Sequence, residues 1–283
     1  MKVRKPYVAN AFYAGTKQDL TEQITQCFTH RFGPGHVPKL VTKGPRKILG
    51  IVSPHAGYMY SGPVAANGFN RIAGDGLPDV FVILGPNHTG VGSGVSILTE
   101  GTWETPLGAT QVESETAKKI QKGSDILDVD ESSHASEHSI EVQLPFIQFL
   151  FGDKAKFVPI CMMMQDLQTS REIAKSIVQQ FEDRDILIVA SSDFTHYESH
   201  DSANRKDQSA IDAIVKLDEA TLNELGEMGK VTMCGYGPIT TLMAAAKMVG
   251  GVRAELLTHK TSGDITGDKT AVVGYSSLVF YRE

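Results

Sequence analysis

The chain has 283 residues, 41% of them hydrophobic and 21% charged, and a formal net charge of −6. That balance belongs to an ordinary folded chain, and the length suits one large domain, so residues 1–283 are read as a single domain. The acidic excess excludes the clustered Lys and Arg of a nucleic-acid footprint, and no apolar run approaches the ~18 residues of a membrane span.

The three cysteines, Cys27, Cys161 and Cys234, lie far apart, and no CxxC pair occurs. This excludes a zinc ribbon and a thioredoxin-type motif, and fits the reduced thiols of a cytosolic protein. The N-terminal string MKVRKPYVANAFYAG has no continuous apolar h-region, so it reads as no signal peptide, and a cytoplasmic protein is expected. A core of this size needs no disulfides.

In chain order, a helix is predicted over residues 17–32, followed by a surface connection carrying Gly33, Pro34, Gly35, Pro38, Gly44 and Pro45. Short, β-branched, nearly continuous apolar runs at 48–52, 80–84 and 186–190 read as strands buried on both faces. A weaker strand is predicted at 156–161. Helical patterns fall at 63–73, 113–122, 167–181, 203–216 and 238–249. The acidic stretch from Asp125 to Glu131 reads as a solvated loop. Two late runs, 254–260 and 272–280, read as strands added to the sheet. The alternation predicts a three-layer α/β fold with a mostly parallel central sheet flanked by helices.

Each of the three buried runs ends in a turn that leads to a histidine: Ser53-Pro54-His55, Gly85-Pro86-Asn87-His88 and Ser191-Ser192-Asp193-Phe194-Thr195-His196. Ligands of open α/β sheets bind outside the carboxyl ends of the strands. If the strands are parallel, the three histidines share one crevice. Asp193 is placed either to orient His196 or to cap a helix that follows. Cys234 precedes a helix start at Pro238, where it is either a thiolate favoured by the helix dipole or a small buried hydrophobe. In Glu137-His138-Ser139-Ile140-Glu141, His138 and Glu141 would share a face if the segment is helical; the plainer reading is a polar helix start.

The strings SPHAGYMYSG at 53–62, LGPNHTG at 84–90, EHSIEVQLPF at 137–146, SSDFTHY at 191–197 and MCGYGP at 233–238 together resemble the Memo family (mediator of cell motility), over nearly the whole chain. The N-terminal string Val8-Ala9-Asn10-Ala11-Phe12-Tyr13 departs from the Ala-Gly more usual before the aromatic pair. The resemblance implies a fold similar to class III extradiol dioxygenases, which use non-haem iron. It implies metal ligands at His55, His88 and Cys234, with Asp193 and His196 lining the same pocket, where His196, oriented by Asp193, is expected to act as general acid or base. It also implies substrate contacts at His138, Glu141, Tyr58 and Asn87. Cys234 stands where the dioxygenases have a carboxylate. A thiolate shifts preference toward zinc, copper(I) or thiolate-bound iron, so ring cleavage is not carried over with the fold. The expected function is a redox enzyme with one iron or copper ion. The alternatives are a non-catalytic module that binds a small molecule or peptide, and a zinc-type hydrolase. Microbial members accompany radical-SAM proteins, which implies a partner in that pathway.

Overall fold

The apolar runs at 48–52, 80–84 and 186–190 lie side by side in the middle of the sheet, and each of their strands is buried along its whole length. The structure, a computed structural model, describes residues 3–283; Met1 and Lys2 of the N-terminal string lie outside the described residues. In chain order the elements are β1 (Val3–Arg4), α1 (Lys17–Thr29), β2 (Ile48–Ser53), α2 (Tyr58–Asp75), β3 (Val80–Pro86), β4 (Val95–Ile97), β5 (Thr102–Thr105), β6 (Gly108–Val112), α3 (Ser114–Lys122), β7 (Asp128–Val129), α4 (Ser132–Ala135), α5 (Leu144–Phe151), β8 (Lys156–Met162), α6 (Leu167–Val178), β9 (Ile186–Ser191), β10 (His196–Glu198), α7 (His200–Val215), α8 (Glu219–Glu227), α9 (Tyr236–Val249), β11 (Val252–Thr261), α10 (Ser262–Thr266) and β12 (Val272–Arg282).

The sheet runs β1-β5-β6-β8-β3-β9-β2-β12-β10, with β11 paired to β12 and β4 joining β7 to β8. From β6 to β2 every neighbour is parallel. Of the late strands, β12 joins β2 antiparallel, and β11 pairs antiparallel with β12. Successive side chains of a strand point to opposite faces, and two neighbours in β2 show which helix covers which face. A Cβ on Gly50 would press against Leu242 of α9, whereas Ile51 meets Gly68 of α2. Helices α2 and α9 therefore sandwich the sheet, which gives the expected three-layer α/β architecture. Among the described residues, no helix is long and apolar enough to cross a membrane.

Helix α2 begins at Tyr58, ahead of the residue 63 start expected from Pro63, which lies inside it. Helix α5 was not anticipated: its sequence LPFIQFLF is apolar almost all round and so has no amphipathic period to read. The hairpin β5–β6, paired from Thr102↔Gln111 to Thr105↔Gly108, also escaped the reading.

The N-terminal segment is tied to the body by a buried ion pair. Arg4, 2% exposed, donates from Nη1 to Glu141 Oε2 at 2.6 Å. Its Nε and Nη2 donate to the carbonyls of His134 and Glu137, and its guanidinium lies 4.1 Å from the centroid of the Trp103 ring. Glu141 in turn accepts from the Tyr7 and Val8 amides and from the Tyr13 hydroxyl. A buried pair broken from one side leaves an uncompensated charge. Glu141→Ala should therefore lower stability by about 3–5 kcal/mol, read from urea unfolding; a loss within the range of an ordinary surface substitution would show that water reaches Arg4.

Candidate metal centre

Because β2, β3 and β9 are parallel, their carboxyl ends open on one side of the sheet. His55, His88 and His138 meet there, each offering a ring nitrogen, and these nitrogens all lie within 4.8 Å of one another. The rings pack edge-on or stacked, with centroids 5.2 Å apart for His55 and His88 and 4.6 Å apart for His88 and His138.

The hydrogen bonds around these rings assign their protons. The Ser191 hydroxyl gives its one hydrogen to the Ser139 carbonyl at 2.7 Å. Its oxygen must then accept from His55 Nδ1 at 2.8 Å, which leaves His55 Nε2 with the lone pair. Gln143 steadies the same oxygen through Nε2 at 2.9 Å. His88 Nδ1 lies 2.9 Å from Glu137 Oε1, a carboxylate that only accepts, so His88 Nε2 is also the basic nitrogen. Glu137 stands 3.3 Å from His138 Nδ1 as well. Burial by itself would raise the Glu137 carboxyl, but the hydrogen bond and charge of His88 and the Ser139 amide outweigh it and hold the group at about 2. Burial pushes His138 down to about 4 and His55 well below the ordinary imidazole value, so both rings stay neutral.

Cys234 sits against His55, with Sγ 3.2 Å from Nε2. Two such donors on one tetrahedral ion would be separated by about 3.5 Å. The sulfur also accepts from the Asp193 amide at 3.3 Å. Gly235 makes this approach possible, since a Cβ there would overlap the Ser191 carbonyl oxygen. The expected helix-dipole stabilisation of the thiolate does not dominate: burial, then the Asp193 charge, pushes the thiol up.

Asp193 neither caps a helix nor hydrogen-bonds His196. Its Oδ1 accepts from the backbone amides of His55 at 2.8 Å and Ala56 at 3.3 Å, which fixes the turn after β2. Burial raises its carboxyl to about 6 against the pull of those amides. The Thr232 carbonyl, not Asp193, orients His196: it accepts from Nδ1 at 2.9 Å, which makes Nε2 the basic nitrogen.

A cleft of about 420 Å³ collects His55, His88, His138, Asp193 and His196, with Phe12, Tyr60, Tyr197 and Tyr275 among its walls. Three expected substrate contacts lie elsewhere. His138 and Glu141 do not share a helical face, because the segment between them is a turn leading into a short 3-10 helix, and the Glu141 carboxylate points to Arg4. Tyr58 is 2% exposed and donates to the Val142 carbonyl at 2.7 Å. Asn87 builds a turn, with Oδ1 accepting from the Thr89 and Gly90 amides and Nδ2 donating to the Val91 carbonyl. Glu137, Ser191 and Gln143 were not singled out from the sequence. Only the contiguity of Glu137 with His138 pointed to any of them.

The comparisons with known proteins follow the same line. Residues 4–279 match the family model Memo, described as Memo-like protein. The chain belongs to the Memo family. A MEMO1 family protein of Methanopyrus kandleri is 48% identical over 281 residues, covering 99% of both chains. One of Pyrobaculum aerophilum is 49% identical over 286 residues, covering 100% of both. Among solved structures, an uncharacterized protein, JW3007, of Escherichia coli K12 superposes with a TM-score of 0.50 at 12% identity, over 71% of this chain and 86% of its own. That likeness is one of fold alone.

The residues of this Memo chain fit a metal ion: three imidazoles converge, those of His55 and His138 held neutral by burial, and a carboxylate orients the ring of His88 from behind, the usual outer-shell arrangement of a metal-ligating histidine. Glu137→Gln should lower affinity for iron(II) or zinc(II) by about 10–100-fold in a chelator-competition titration, with unchanged near-UV circular dichroism. Unchanged affinity would mean that Glu137 serves only the fold.

Proposed function

We propose that this Memo protein is a metal-dependent redox enzyme that holds one iron or copper ion at the histidine cluster and acts on a small molecule in the cleft. The observation that carries the reading is the convergence of His55, His88 and His138 on one point in a cleft large enough for a ligand. His55 and His88 would supply two donors, with His138 and Cys234 on either side as candidates for the next. The soft sulfur beside His55 favours iron or copper(I) over the hard cations. When bound, such an ion supplies electron transfer and Lewis-acid polarisation of a ligand oxygen.

The chain's own groups divide the remaining work. His196, held by Thr232 through Nδ1 with Nε2 free of that bond, lines the cleft and would take or return a proton, a contribution typically worth about 10²–10⁴-fold in rate. Asp193 would keep the His55 turn rigid through its two amide hydrogen bonds. Phe12, Tyr60 and Tyr275 would exclude water from one side of the ligand.

Protein made without a polyhistidine tag should carry stoichiometric iron or copper. His55→Ala and His88→Ala should lose it, and His196→Ala should keep it. Cys234→Ser should alter the visible absorption if the sulfur is a ligand and leave it unchanged if His138 takes that place. Zinc as the sole metal would overturn the redox reading in favour of a hydrolase. Absence of metal from wild type above background would favour a ligand- or peptide-binding module.

A further inference from the structure

A second cavity, of about 370 Å³, adjoins the cleft. The two share Tyr60, Tyr197, Val273 and Tyr275, so they form one trough with a tyrosine-lined waist. The far end is polar, lined by Ser262, Thr266 and Asp268.

Tyr197 is placed at the waist against local preference. It is 79% exposed, and its backbone sits at φ 59°, in the left-handed region that a bulky residue rarely adopts. The pairing of β10 with β12 explains how it is held. His196 pairs with Val273 and Glu198 with Val272, and Tyr197 is the extra residue between them. Such a bulge re-aims a side chain and is common beside functional sites. The conformation costs free energy that an exposed tyrosine does not recover by packing, so the inference runs from the outlier to a ligand contact.

The charges indicate which ligand. Among the described residues, no lysine or arginine lines either cavity. Asp268 Oδ1 accepts from the amide and hydroxyl of Thr270, and these hydrogen bonds hold its carboxyl below the usual range. Aromatic walls together with one ionised carboxylate and no competing cation make a receptor for an ammonium group, which is drawn both to ring faces and to negative charge. An anionic ligand would find no cationic partner at this end.

We propose that the second cavity is the subsite for an alkylated ammonium group at one end of an elongated substrate whose other end lies at the histidine cluster. Only the placement of that reacting end rests on the function proposed above. The subsite itself stands on Tyr197, the shared tyrosines and Asp268.

The test titrates choline, and separately its neutral isostere 3,3-dimethyl-1-butanol, into the full chain, followed by NMR. Choline should bind saturably and the isostere distinctly more weakly. Tyr197→Ala and Asp268→Asn should each weaken choline by about two- to thirty-fold, and Tyr197→Phe should retain binding. Equal binding of the two probes, no binding of choline, or wild-type affinity in both weakening variants would overturn the proposal. Metal content is measured on the same samples. Metal retained with choline unbound sinks the subsite alone. Choline bound by a protein that takes no metal sinks only the metal reading.

Discussion

The buried carboxylate of Glu137 is the point on which the cleft is assembled. It is 1% exposed and accepts from the His88 amide at 2.5 Å, His88 Nδ1 at 2.9 Å and the His138 and Ser139 amides at 2.8 Å each. A charge taken out of water is tolerated only when hydrogen bonds replace the lost solvation, and here backbone and imidazole donors do so. The same bonds dock the turn at 137–139 on the end of β3. One ionised group thus sets the position of one histidine and the ring orientation of another, and every other feature of the site is arranged around that fixed pair.

The electrostatics around it are consistent with a site made for a cation. His55 and His138 are held neutral by burial, which is the form that ligates. The Cys234 thiol and the Asp193 carboxyl are pushed upward by the same cause. Burial that disfavours charge on each group separately is offset when a positive ion enters and protons leave, which couples ligation to pH. The rigid backing makes this arrangement durable. Arg4 and Glu141 lock the N-terminal segment that carries Phe12 to the elements behind the cleft, and Gln143 and Ser191 fix the His55 ring.

Much of the frame was legible because buried parallel strands write themselves as β-branched runs. The runs at 48–52, 80–84 and 186–190 and the histidines beyond them follow directly from residue type and order. Helices with one apolar face were legible for the same reason, as at α1 and α6, both bounded by capping residues: Thr16 accepts from the Asp19 amide and Asp166 from the Thr169 amide. Helix α5 was not, since an element buried all round has no period. Glu141 shows the limit for side chains. Its spacing from His138 would have placed both on one helical face, but the segment between them is a turn, and a carboxylate turns toward the nearest buried cation, here Arg4.

By itself, the sequence determined the layered α/β architecture, the parallel centre of the sheet and the gathering of His55, His88 and His196 at one edge. These follow from the hydrophobic pattern, a local property of the chain, and from the alternation of strands and helices that favours parallel neighbours. Only the tertiary structure decided the partners of the rings: Glu137 behind His88, Ser191 behind His55, Thr232 behind His196, and Cys234 against His55. Tautomer and orientation are set by partners that arrive from distant parts of the chain. Tyr197 belongs with these, because a bulge exists only where two strands pair out of register.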